Sequence, residues 1–162
     1  MKRAAQISRV VFVLVLLAGI GFGMTVGVGG YTFIYARGYS YLGSDPTACM
    51  NCHIMKEQFD GWTKASHRNV ATCNDCHAPH NLVGKYATKA VNGFNHSLAF
   101  TTGNFPEPIR ITKFNLEITE NACRHCHAEI VEAIEPHVPK GVEWQSLLCT
   151  QCHPSVGHLH MD

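Results

Sequence analysis

A chain of 162 residues has room for one membrane segment and one domain of ordinary size, and a formal charge of +1 without any basic tract excludes a nucleic-acid footprint. All 8 cysteines fall in four C-x-x-C-H segments, so none is left for a disulfide framework. With 14 glycines, 7 prolines and only 15% charged residues, the composition predicts a loop-rich domain whose core is supplied largely by bound groups and which does not fold without them.

The chain begins with a basic stretch, residues 1–9, in which Lys2, Arg3 and Arg9 precede an uncharged run. From Val10 to Ala36 there are 27 residues without a charged side chain, where about 20 suffice to span a bilayer as a helix. The positive charges lie before the span and only Arg37 closes it, which predicts a cytoplasmic N-terminus and an outward domain over residues 37–162. The run is too long for an ordinary signal-peptide core and no clear small-x-small cleavage site follows it, so an uncleaved anchor is expected. Gly19, Gly23 and Gly27 share one face at the spacing used in helix pairing. Tyr31, Phe33, Tyr35, Tyr39 and Tyr41 gather at the outer end, where amphipathic rings suit a headgroup layer or pack on a cofactor.

Four motifs follow: Cys49-Cys52-His53, Cys73-Cys76-His77, Cys123-Cys126-His127 and Cys149-Cys152-His153. Two thiols and an adjacent histidine at this spacing attach a c-type haem by two thioethers and ligate its iron. Paired C-x-x-C segments also suit four-thiolate zinc sites. Histidine decides between them: at 11 in 162 it occupies a position roughly 7% of the time, so four successes by chance have odds of order one in 10⁵. The expected fold is therefore a mainly α, loop-rich multihaem cytochrome c domain with four covalent haems and one N-terminal transmembrane helix. Covalent attachment of this kind takes place outside the bacterial cytoplasmic membrane, in agreement with the charge asymmetry.

Cys49 comes only 12 positions after Arg37, so haem 1 lies at most about 40 Å from the end of the span. A haem there can exchange electrons with a lipid-soluble carrier. First cysteines at 49, 73, 123 and 149 are separated by 24, 50 and 26, which suggests a diheme unit used twice. The longer link holds an amphipathic helix from Asn81 to Phe100. Leu82, Val83, Tyr86, Ala90, Val91, Phe94 and Leu98 form its apolar side, and Lys85, Lys89, Asn92 and His96 its polar stripe. Lysines at helical spacing usually mark a solvated face, the alternative being a polar site beside a haem. Residues 101–111 read as a loop, and a helix from about Asn115 leads into the third motif and through Ala128 to Glu135, where Pro136 stops it.

Four irons have eight axial positions. Beyond the motif histidines, His67, His80, His96, His125, His137, His158 and His160 are available, with His125 inside a motif and read as a surface residue. Met55, two residues after His53, is a further candidate, and a thioether would raise that iron's potential relative to a bis-histidine haem.

The segments SYLGSDPTACMNCHIM, SHRNVATCNDCHAPHN, GFNHSLAFTTG and CTQCH-x4-H, following a single anchor, resemble the NapC/NirT family of membrane-anchored multihaem quinol dehydrogenases, and within it the four-haem small subunits of cytochrome c nitrite reductases. The resemblance implies that Met55, not His53, ligates haem 1, that His67 stands opposite His127 on haem 3, and that His158 stands opposite His77 on haem 2. It implies that His153 holds haem 4, whose distal position a lysine of the catalytic partner can fill. It matches Lys89 to a lysine of the quinol site and puts His96 at the distal face of haem 1, where some members have aspartate. Ligand, proton acceptor and space filler are the three readings of His96. The implied activity is oxidation of menaquinol at the outer face of the bacterial inner membrane, with electrons passed to a periplasmic multihaem nitrite reductase that makes ammonium. Other periplasmic reductases, such as a nitrate reductase, are alternative acceptors. A self-contained haem reductase is a further alternative.

Overall fold

The structure, a computed structural model, describes residues 2–134 and 148–158. Among them there are helices and turns but no strands. The chain divides into two compact units, Met1–Ser40 and Tyr41–Asp162.

The first unit is dominated by helix α1, Lys2–Tyr35. It starts eight residues before the uncharged run because lysine, arginine and alanine are good helix formers and nothing breaks the chain there. Over Gln6–Tyr35 it is long and apolar enough to cross a membrane, and side chains such as Phe12, Leu14 and Phe22 are exposed along it. Beyond Tyr35 the Ala36 amide still donates to the Thr32 carbonyl at 2.8 Å, after which Arg37 turns with φ 53° and ends the helix. Gly38 follows, where any Cβ would run into the Phe33 ring.

The second unit holds α2 (Lys56–Lys64), α3 (Cys73–His77), α4 (Leu82–Thr102), α5 (Lys113–Cys126), α6 (Ala128–Ile134) and α7 (Cys149–Cys152). Two short 3-10 segments, Pro46–Asn51 and His53–Met55, carry the first motif. Helix α4 is capped by Asn81, whose side chain accepts from the Gly84 amide, and closes at Gly103 with φ 70°. It therefore runs two residues into the segment expected to be a loop. The helix expected from Asn115 begins at Lys113, where Thr112 caps it. The expected continuous helix through the third motif is instead broken at His127, which leaves α5 and α6 as separate helices. Glu135, Pro136, His137 and His160 lie outside the described residues.

The described apolar residues that are buried are three alanines, Ala48, Ala78 and Ala122. Small side chains at these points let the motif helices approach closely. Helix α3 packs on α5 and on the 3-10 segment of motif 1, and α7 also packs on α5. The motifs thus succeed one another 1-2-3-4 within a single unit, and motif 2 meets motif 3 across the division that the spacing suggested.

Candidate haem cradle

Motifs 1, 2 and 4 each have their own local device. At motif 1, the Asp45 carboxylate accepts from the Thr47 amide at 2.9 Å and its hydroxyl at 2.8 Å, and Pro46 stands at the first helical position. Cys52 is extended, with φ −89° and ψ 111°, so the segment breaks and restarts with His53 to Met55. His53 is exposed, whereas Met55 is half-buried at the head of α2. At motif 2, Thr72 and Asp75 form a capping box, the Asp75 side chain accepting from the Thr72 amide and hydroxyl at 2.7 Å each. Helix α3 packs on the 3-10 segment Pro46–Asn51, which brings motifs 1 and 2 into contact.

The histidines implied as trans partners face one another. The His77 and His158 ring centres are 5.8 Å apart with planes 21° apart, and those of His67 and His127 are 5.9 Å apart at 80°. With about 2 Å between metal and nitrogen, two imidazoles across one iron have ring centres roughly 6 Å apart. Three of the four rings are also oriented through Nδ1: His158 donates to the Gln58 carbonyl at 2.9 Å, His67 meets the Ser66 hydroxyl at 3.1 Å, and His77 meets the Thr119 hydroxyl at 3.4 Å. A bond at Nδ1 directs Nε2 to a metal and sets the ring plane. His67 owes its place to Trp62, whose indole donates to the Ala71 carbonyl at 3.0 Å and so pins the turn between α2 and motif 2. His77 is exposed at the surface, and desolvation by the protein around its ring and then the facing His158 imidazole lower its pKa from the ordinary histidine value.

His153 and Cys152 line a cleft of about 460 Å³ together with Lys64, Ser66 and Pro154. Motif 4 itself is held by Glu120, which sequence reasoning missed: its carboxylate accepts from the Cys149 amide at 2.6 Å, the Thr150 amide at 3.0 Å and the Thr150 hydroxyl at 2.7 Å. A glutamate on a helix three residues before a motif carries no special signal in one dimension. His125 is exposed, as expected, but stacks on His80 with ring centres 4.1 Å apart.

The polar stripe of α4 faces protein. Lys89 donates to the Tyr41 carbonyl at 2.8 Å and to the Gly43 carbonyl, Lys85 to the Ser44 hydroxyl at 2.8 Å, and Tyr86 to the Leu42 carbonyl at 3.5 Å. Asn92 and Asn115 exchange amide hydrogen bonds at 2.9 and 3.2 Å, tying α4 to α5. The usual reading of such a stripe as a solvated face therefore does not hold here; it is the apolar side that is exposed, at Val83, Val91, Phe94 and Leu98. Desolvation and then the Lys85 ammonium hold Lys89 below the usual lysine range, while Cys49 acts the other way. His96 completes the stripe at the surface, and partial desolvation of its ring lowers its pKa.

Eight thiols in four motifs, two imidazole pairs at iron-spanning separation and a thioether beside motif 1 fit a set of c-type haems. Comparison with known proteins agrees. Residues 6–162 match the NapC/NirT cytochrome c family, N-terminal region. The chain is 36% identical over 154 residues to the cytochrome c-type protein NrfH of Wolinella succinogenes, covering 90% of this chain and 86% of the relative. It is 33% identical over 140 residues to the cytochrome c nitrite reductase subunit NrfH of Nitratidesulfovibrio vulgaris, covering 86% and 82%. It is also similar to a chain in the crystal structure of a cytochrome c nitrite reductase NrfHA complex bound to the HQNO inhibitor, with a TM-score of 0.59, 28% identity and coverage of 91% and 92%. The chain belongs to the NapC/NirT cytochrome c family, whose haem is covalently bound.

Proposed function

We propose that this chain is the menaquinol-oxidising, four-haem subunit of a nitrite reductase complex, anchored in the bacterial cytoplasmic membrane with its haem domain in the periplasm. The observation that carries the reading is the engagement of Lys89 with the Tyr41 and Gly43 carbonyls, on the stretch of chain that leads from the membrane helix into motif 1. An ammonium has three donors, and two are used here, so one remains for a quinol oxygen. His96 lies seven residues further along α4, about 10 Å along its axis, and serves as proton acceptor, a task suited to an imidazole.

In this reading Cys49 and Cys52, Cys73 and Cys76, Cys123 and Cys126, and Cys149 and Cys152 carry the porphyrins. Met55 ligates haem 1, His77 and His158 haem 2, His67 and His127 haem 3, and His153 haem 4 with a ligand from the catalytic subunit. The haems, when bound, supply one-electron ferric/ferrous chemistry to a donor that yields two electrons and two protons. Ser66, Thr119 and Gln58 orient the imidazoles, and Lys85 with Lys89 holds the entry segment. A relative of this chain is named as a cytochrome c nitrite reductase subunit, and a similar chain is solved within a cytochrome c nitrite reductase complex, which supports a multihaem nitrite reductase as the partner.

The test is reduction of the membrane-embedded protein by a menaquinol analogue, with and without a multihaem nitrite reductase. Haem reduction that is reoxidised by nitrite only when the reductase is present is expected. Haems that menaquinol cannot reduce, or nitrite turnover by the subunit alone, would overturn the assignment.

A further inference from the structure

Helix α5 reaches three motifs at once. Its last turn carries Cys123 and Cys126, Thr119 meets the His77 ring of motif 2, and the next residue, Glu120, holds the first turn of motif 4. Successive residues on a helix point about 100° apart, so two neighbouring side chains serve two different motifs. Glu120 is only 5% exposed. Its Oε2 accepts from the Cys149 amide and its Oε1 from both the Thr150 amide and hydroxyl. Burial pushes its carboxyl up, but the Thr150 hydroxyl and the Thr150 and Cys149 amides, with a smaller contribution from the Cys149 thiol, outweigh that and lower its pKa from the usual glutamate value. It is thus a fixed anion seated between the motif 3 helix and the first residue of motif 4.

We propose that Glu120 is a positioning residue for electron exit: it clasps motif 4 to the helix of motif 3 and, by its negative charge, lowers the reduction potential of the haems held there. The proposal rests on the reading of motifs 3 and 4 as haem sites. Reduction of a ferric haem to the ferrous state adds one electron, and a nearby anion in a poorly solvated site opposes that addition. Electrons from the quinol are then held less tightly at the end of the chain that delivers them.

The test is an equilibrium redox titration of the purified, haem-loaded protein with chemical mediators, followed by its visible spectrum together with its haem content. It uses neither quinol nor nitrite, so its outcome is independent of the donor and acceptor assigned above. Glu120→Gln keeps an acceptor oxygen and removes the charge. It is expected to retain its haems and to raise at least one potential by about 59 mV, a tenfold change in a one-electron equilibrium. Glu120→Asp, which keeps the charge, is expected to stay close to the unaltered protein. If Glu120→Gln does not accumulate with haem, Thr150→Val decides: stripping the hydroxyl leaves the anion less compensated and is expected to lower the same potential. A loaded Glu120→Gln protein, or failing that a loaded Thr150→Val protein, with every potential unchanged would overturn the proposal.

Discussion

His158 donates through Nδ1 to the Gln58 carbonyl at 2.9 Å while its ring faces His77 at 5.8 Å, so one residue near the end of the described chain joins α2 to motif 2. That double engagement is what an axial ligand needs: one nitrogen fixes the ring and the other is presented to the metal.

Replacing His158 with alanine is expected to convert one haem from low to high spin while leaving the other haems as they are. Electron paramagnetic resonance and visible spectra check this. An unchanged low-spin population would remove His158 from the ligand set.

Met55 is the proposed ligand of haem 1 in place of His53, and the half-buried Met55 contrasts with an exposed His53. Met55→Leu is expected to change the spectrum and potential of a single haem, and His53→Ala to alter neither. The reverse outcome would assign the iron to the motif histidine.

Loss of Lys89 removes two hydrogen bonds to the entry segment, as well as the group proposed to meet the quinol. Lys89→Ala is expected to slow menaquinol oxidation by about tenfold to a hundredfold, with a stability cost of about 1 kcal/mol. Lys85→Ala, which loses the bond to Ser44 and the charge beside Lys89 but leaves the Lys89 ammonium and its two carbonyl bonds, serves as the comparison and should retain most of the rate. Equal rates for the two variants in a stopped-flow assay would leave Lys89 without its special role.

Glu120 also predicts an acid-sensitive clasp. Its carboxyl is held below the ordinary value in the folded chain, so its contribution to stability is complete above the unfolded value of about 4.3 and is lost as pH falls through the folded one. The difference in stability between the unaltered protein and Glu120→Gln should therefore shrink as the pH is lowered from about 5 towards 3. A constant difference across that range, measured by denaturant unfolding of the haem-loaded proteins, would contradict an ionised Glu120.

The motifs were legible because covalent chemistry is local: the two thiols and the histidine of each motif lie within five consecutive residues, and Met55 lies two residues beyond His53. The membrane helix was legible for a similar reason, since a span is a run of uncharged residues and its end at Tyr35 lies one residue from the expected boundary. The trans partners were another matter. Seven spare histidines could not be paired by counting, and only the resemblance to a family matched His67 with His127 and His158 with His77.

The sequence by itself determined the four attachment motifs, the anchor and the amphipathic character of α4, all of which depend on neighbours within a few turns. Tertiary structure decided which way that helix faces, turning Lys85, Lys89 and Asn92 onto protein and leaving Phe94 and Leu98 outside. It alone brought Glu120 to Cys149 and Thr150, and Gln58 to His158. Those contacts join residues distant in the chain, and their partners are backbone amides and carbonyls, which every residue carries and no sequence pattern marks.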